Sequence, residues 1–208
     1  MYLPSHFEES RPEVLHTLLR AHPLGLLVMQ GASGLTADSL PFLFDPEPTP
    51  WGTLRGHVAR ANPLWRSPGA QALVVFQGPQ AYVSPGWYPS KQEHGKVVPT
   101  WNYVMVQARG TLRVVDDAAW LHALVTRLTD THEARLPRPW AVADAPGDYI
   151  HALLRAIVGI EIPLSGLVGK WKVSQNRSAA DRAGVALGLD AQAGAAADMA
   201  TEVRQAGG

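Results

Sequence analysis

Three short stretches of the chain carry side chains whose types and spacing could do chemistry. In "GHVARANPLW" (Gly56 to Trp65), an apolar run leads straight into Asn62-Pro63, an N-cap and first-turn pair for a helix. A strand that runs into a helix start leaves backbone N–H groups free to hold an anion. His57 and Arg60 are close enough in sequence to add donors. The stretch therefore reads as a phosphate seat, or as an ordinary strand–turn–helix link with a solvated arginine. In "GKWKVSQNRS" (Gly169 to Ser178), Lys170 and Lys172 flank Trp171, and Gln175, Asn176 and Arg177 follow. Two ammonium groups beside an indole suit a stacked ring next to a charge that needs neutralising, as in a flavin or a nucleotide. They equally suit a solvated edge strand, which lysine protects from aggregation. The third stretch, "QGPQAYVSPGWYP" (Gln77 to Pro89), sets turn formers around Trp87 and Tyr88 and runs on into the charged "SKQEHGK". It is either a lid over a planar ligand or a surface loop anchored by one tryptophan.

Other chemistries are excluded. The chain has no cysteine, which removes disulfides, thiolate catalysis and Cys-ligated metals and makes a cytoplasmic setting the expectation. Its eight histidines form no i, i+4 pair and no H-E-x-x-H pattern, so no metal site is expected. There is no serine-hydrolase elbow, Walker loop or G-x-G-x-x-G, and "GASGL" reads as a hairpin turn. Net charge is zero, whereas a dedicated nucleic-acid module usually carries a basic excess. Any DNA contact would rest on a local patch, for which "GKWKVSQNRSAADR" is the best source. No apolar run approaches the roughly 20 residues that span a bilayer, and the N-terminus lacks the layout of a secretion signal.

The elements that must position these residues follow from periodicity and punctuation. Ser10 can cap a first helix, with Pro12 in its first turn, Glu13 completing a capping box, and Val14, Leu15, Leu18 and Leu19 on one face. Short apolar or alternating runs come next: "LGLLVMQ", "SLPFLF", "GTLRGHV", "QALVVFQG" and "QAYVS", with "TWNYVMVQARGTLRVV" the longest. In that longest strand Asn102, Val104, Val106 and Ala108 face one way, and Trp101, Tyr103, Met105, Gln107 and Arg109 the other. Two helices follow, one capped by Asp116 or Asp117, the other by Asp148 and stopped at Gly159. A last strand, "IEIPLSGLVGKWKV", closes the ordered part. Residues 1–182 are expected to form one domain. From Ala183 the composition shifts to Ala, Gly and Asp, so 183–208 reads as a marginal helix or disorder. The fold expected is mainly β with flanking helices (α+β), a closed antiparallel barrel.

"MYLPSHFE", "HVARANP", "FQGPQAYVSPGWYPSKQEHGKVVPTWNY" and "VGKWKVSQNRS", in this order from Met1 to about Leu189, closely resemble the PaiB family. These are bacterial FMN-binding proteins usually described as negative transcriptional regulators. The resemblance implies a split β-barrel related to pyridoxamine-phosphate oxidases and a homodimer with FMN at the subunit interface. It places His57, Arg60 and Asn62 at the corner for the FMN phosphate, and Ser39, Leu40 and Pro41 beside the isoalloxazine ring. Lys170, Trp171, Lys172, Gln175 and Asn176 would approach from the other subunit. On this reading Trp101, Tyr103, Met105 and Gln107 face the partner and the flavin. Two functions follow: a regulator that binds FMN and reaches DNA through a basic dimer patch, or a small FMN-dependent, NAD(P)H-linked oxidoreductase. In the second, the loop from Ser84 to Pro99 covers the ring, and His94 or Lys96 assists proton transfer. A chain that has exchanged FMN for another planar ligand or haem is the remaining alternative.

Overall fold

The computed structural model describes residues 1–31, 34–192 and 194–206. Among them the chain forms strands β1 (Glu8–Glu9), β2 (Leu24–Gly31), β3 (Gly34–Pro41), β4 (Leu43–Asp45), β5 (Thr53–Ala59), β6 (Gln71–Val83), β7 (Thr100–Thr111), β8 (Arg113–Val115) and β9 (Ile157–Lys172). The helices are α1 (Pro12–Ala21), α2 (Ser90–His94), α3 (Ala118–Glu133), α4 (Gly147–Arg155), α5 (Ala179–Asp190) and α6 (Ala195–Gln205). The sheet order is β3-β2-β6-β7-β9-β5-β4, with β1 and β8 each pairing with β9. This is the antiparallel, helix-flanked sheet that the alternating runs imply. The runs "QALVVFQG" and "QAYVS" are one continuous strand, β6.

The chain divides into two compact units. The first comprises Met1–Leu18, Gln77–Val106 and Val168–Gly208; the second comprises Leu19–Phe76 and Gln107–Leu167.

In the second unit β2 pairs with β3 from Leu24↔Pro41 to Gly31↔Gly34. The "GASGL" turn between them falls on Ala32 and Ser33, which lie outside the described residues. β5 is held between β4 and the first half of β9. Inward positions of these strands (Leu54, Val58, Val158, Ile160, Ile162) are buried to within a few per cent. Each such side chain contributes about 1.5–3 kcal/mol by leaving water. Asp117 caps α3, its Oδ1 accepting from the Trp120 backbone N–H at 2.7 Å. Leu124 and Leu128 of α3 then pack with Leu43 and Trp120. Gly159 does not stop α4. It lies inside β9, and a side chain there would collide with the Trp120 ring.

In the first unit β1 pairs with the far end of β9, Glu8 opposite Lys170. Glu9 Oε1, rather than Ser10, accepts the Arg11 N–H at 2.9 Å ahead of α1. On β7, Val104 and Val106 are fully buried, and Asn102, 1% exposed, exchanges hydrogen bonds with Ser174 (2.9 Å from its Nδ2). Of the two readings of the Ala/Gly-rich tail, the described residues take the helical one, in α5 and α6. Val185, Ala186 and Leu189 of α5 are buried, as are Met199, Ala200 and Val203 of α6. Gly184 and Gly188 admit Trp87, whose backbone and ring occupy the space a side chain would need. Small residues weaken the apolar signal in the sequence, yet alanine favours helix and close approach favours packing.

Candidate functional site

Within the second unit, the turn after β5 is built as a braced corner. The helix start expected at Asn62-Pro63 is a four-residue 3-10 turn, Pro63–Arg66. Its first free N–H, that of Leu64, is already taken by Asn62 Oδ1 at 2.9 Å. So short a turn has little dipole to offer an anion. The Asn62 Nδ2 donates to Asp38 at 2.9 Å, which ties the corner to β3 beside Ser39. Arg60 is spent in four directions. Its guanidinium holds Asp116 through Nη1 (2.9 Å) and Nη2 (2.5 Å), and donates to the carbonyls of Arg155 (2.9 Å) and Ile157 (3.0 Å). That pairing raises the Arg60 pKa, and Arg60 in turn holds the Asp116 carboxyl below its usual range. His57 stands on β5 opposite Gly159, the position over which Trp120 lies. Burial lowers its pKa, so it is a neutral imidazole, and its Nδ1 is buried without a partner.

The three β3 residues do not share a face. Ser39 and Pro41 pair with Leu26 and Leu24, whereas Leu40 pairs with Gly25. The face of Ser39 is apolar and open: Leu24 is 64% exposed, Leu26 40% and Leu35 75%.

Within the first unit, the end of β9 separates its residues just as sharply. Lys170 and Lys172 lie on one side of the strand and Trp171 on the other, so the indole is not sandwiched between ammonium groups. Trp171 Nε1 instead donates to Glu202 of α6 at 3.0 Å. The two lysines gather on Tyr103: Lys170 Nζ lies 5.3 Å and Lys172 Nζ 6.0 Å from its ring centroid. Lys170 also lies 5.7 Å from the Tyr2 ring and donates to the Tyr2 carbonyl at 3.1 Å. Lys172 donates to Thr100 Oγ1 and, at 2.5 Å, to the Trp101 carbonyl. Although Glu8 is opposite Lys170 in register, neither lysine forms an ion pair among the described residues. Burial, with the charges of Lys170 and Arg177, lowers the Lys172 pKa. Trp101, 56% exposed, meets Tyr82 edge to face at 6.1 Å.

Beyond β9 the chain turns through Ser174, whose φ of 67° is a left-handed conformation that non-glycine residues adopt at a cost. Gln175 fastens that turn: its Oε1 accepts from the Val173 N–H at 2.8 Å and its Nε2 donates to the Trp171 carbonyl at 2.5 Å. It is a turn-former. Asn176 is exposed and lines a cavity with Arg177, His94 and Lys96.

The structure therefore brings Asn62 to β3, and brings Lys170 and Lys172 to Tyr103 below Trp101. It turns Trp171 and Gln175 to structural work and commits Arg60 to Asp116. Tyr2 and the link from Ser90 to Asp181 had no signal in the sequence, because both partners of each contact are far apart along the chain. The donor set fits FMN around Tyr103, where flat rings stand beside cations that have no carboxylate. It resists FMN at Arg60, where a phosphate would have to displace Asp116.

A helix-flanked antiparallel sheet of this order is the split-barrel fold. Residues 1–165 match the family described as "Putative FMN-binding domain", and the chain belongs to that FMN-binding family. An uncharacterized protein of Emericella nidulans is 35% identical, over 91% of this chain and 90% of its own. The Bacillus subtilis protease synthase and sporulation protein PAI 2 is 29% identical, over 87% of this chain and 85% of its own. The PaiB-like motifs thus sit in a chain that is PaiB-like throughout most of its length. Among solved structures, the FAD and heme binding protein of Mycobacterium smegmatis shares the fold, with a TM-score of 0.53 and 20% identity over 79% of this chain and 73% of that one. Among the described residues no helix is long and apolar enough to cross a membrane.

Proposed function

We propose that the chain works as a cytoplasmic homodimer that holds FMN at its interface and uses it in redox chemistry on a small molecule. The observation that carries this reading is the pair of cations on Tyr103. Lys170 is 8% exposed and Lys172 is half-buried, both against rings and carbonyls, with no ion pair among the described residues. Buried charge without a counter-charge is costly, so the arrangement favours an anionic partner of flat shape. FMN supplies hydride or single-electron transfer, and the protein supplies orientation and exclusion of water. On this reading Lys170 and Lys172 of one subunit neutralise the cofactor's negative charge, and Trp101 and Tyr103 offer ring faces. Asn62, Ser39 and Pro41 of the partner provide the polar corner and a flat apolar wall, while Arg60 and Asp116 keep that corner rigid.

The dimer is supported by the open leucines of β2 and β3 and by the outward aromatics of β7, since exposed apolar patches mark association surfaces. Met105→Glu is expected to leave a monomer by light scattering; an unchanged dimer would remove this face as the interface.

A regulator acting on DNA would draw on the same basic segment, but its first lysine is buried and its second is tied to Thr100 and Trp101. That geometry favours a small-molecule partner over a phosphate backbone. The deciding experiment is steady oxidation of NADH or NADPH by the FMN-loaded protein. Turnover dependent on FMN supports the proposal. No turnover, together with specific DNA binding that weakens steeply with salt, would replace it with the regulatory reading.

A further inference from the structure

In the first unit, α2 and the start of α5 flank an open cleft of about 620 Å³, which is metabolite-sized. Its two walls are joined by one buried carboxylate. Asp181, 5% exposed, accepts from the Ser90 N–H at 3.1 Å and from the Ser90 hydroxyl at 2.9 Å. Those bonds anchor both of its oxygens, and among the described residues no cation around the cavity forms an ion pair with it within 4 Å.

Arg177 is the most consequential of these. Its guanidinium lies 4.9 Å from the Tyr88 ring centroid and forms no ion pair within 4 Å among the described residues. Its charge also acts on the Tyr88 hydroxyl and on Asp181; a guanidinium has five N–H donors, and those turned away from the ring suit a planar or tetrahedral oxyanion. Lys96 is exposed at the same cavity, again without an ion pair. His94 contributes direction: its Nδ1 accepts the Lys96 backbone N–H at 3.0 Å. The proton of the neutral ring must then sit on Nε2, which is a donor. Asn176 adds an amide, and Glu93 is the one lining carboxylate besides Asp181.

We propose that this cavity binds the oxyanion group, phosphate or carboxylate, of a small organic molecule, with Arg177 as its principal partner and Lys96, His94 and Asn176 as supporting donors. The open cleft leaves room beside an inorganic anion, so a larger ligand with an oxyanion head fits. The principal partner, Arg177, is not among the residues that hold the cofactor in the reading above, although its charge reaches Lys172.

The test is titration of inorganic phosphate, and separately of acetate, into FMN-loaded protein at constant ionic strength, followed by calorimetry and by ³¹P line broadening. Saturable binding is expected for at least one of the two anions, and which one binds assigns the head group. Arg177→Gln is expected to weaken it at least about tenfold, the loss of one charge-assisted hydrogen bond, with FMN affinity unchanged. Lys96→Gln is expected to weaken it less, and it carries the test if Arg177→Gln does not fold. Absence of saturable binding in the wild type, or equal binding in both variants, overturns the proposal. Binding seen only without FMN and displaced by it would also overturn it, and would instead place the cofactor's own phosphate here. Loss of FMN-dependent turnover with phosphate binding intact would sink the redox reading alone.

Discussion

The two basic regions of the chain use the same kind of residue to opposite ends. In the second unit, Arg60 faces Asp116 and two carbonyls, and Arg55 and Arg127 both face Asp45, with Arg55 also on Glu161 at 2.7 Å. In the first unit, Lys170 and Lys172 lie on Tyr103, Arg177 lies on Tyr88, and Asp181 is spent on Ser90. A cation whose carboxylate comes with the fold is a brace. One left on a ring face is, in the proposals above, complementary to a bound anion. Residue type alone does not distinguish them; the counter-charge does.

The largest effect should come from removing both unpaired charges while keeping their apolar stems. Lys170→Met/Lys172→Met is expected to weaken FMN binding at least about 100-fold, two charge-assisted contacts at roughly 1.5 kcal/mol or more each. The melting temperature of the free protein should stay level or rise, because like charges in a half-buried site are relieved. Quenching of tryptophan fluorescence by FMN and a thermal melt read the two quantities separately. A variant that loses stability but binds FMN normally would erase the contrast between the units.

Arg60→Ala is the opposite experiment and the next in size. The brace reading expects a melting temperature lowered by a few degrees, with FMN affinity changed by less than about threefold, a difference of well under 1 kcal/mol. A large loss of affinity with stability intact would show that Arg60 leaves Asp116 to take the phosphate, as the sequence motif alone implies.

How much of this was legible in the sequence follows from where each signal resides. The alternation of β7 announced its two faces, and Val104, Val106 and Ala108 are buried where the pattern put them. Helix caps such as Asp117 were legible because the cap and its target lie three residues apart. The motif "HVARANP" located a real corner. It could not reveal Asp116, 56 residues away from Arg60, which decides what that arginine is free to do. The stretch "KWK" suggested an indole flanked by charges, but strand alternation sends Trp171 to Glu202 and the lysines to Tyr103. The tail's composition left helix and disorder undecided, because its packing of small side chains, including those around Trp87, gives no apolar periodicity to read.

The contrast is also expected to show in pH. Burial and neighbouring cations place the folded-state pKa of Lys172 below the ordinary lysine value of 10.5. Between those two values the unfolded chain binds more protons than the folded one, so stability rises with pH through that window. The same deprotonation removes a positive charge from the Tyr103 face, so FMN affinity should fall as stability rises. Lys172→Met is expected to flatten both trends. Denaturant midpoints and FMN titrations from neutral pH upward check this, and a stability that falls across the window would contradict the half-buried, unpaired lysine.

The smallest effect concerns Asp181, the buried carboxylate at the cavity of Arg177. Asp181 is kept from Arg177 by the Ser90 N–H and hydroxyl, and although burial pushes its pKa up, those bonds, with help from Ser178 and the charge of Arg177, bring it below the usual range. Ser90→Ala removes the hydroxyl and frees one oxygen. The direct cost is one side-chain hydrogen bond, about 0.5–1.5 kcal/mol, read as a modest shift in denaturant midpoint. The freed oxygen becomes a competitor for Arg177, so phosphate binding to the cavity should weaken even though no ligand-facing group has changed. If Ser90→Ala lowers stability while phosphate binds as before, Asp181 cannot reach Arg177, and the cation's freedom owes nothing to the serine. If binding weakens, the fold keeps Arg177 available by giving Asp181 something else to hold.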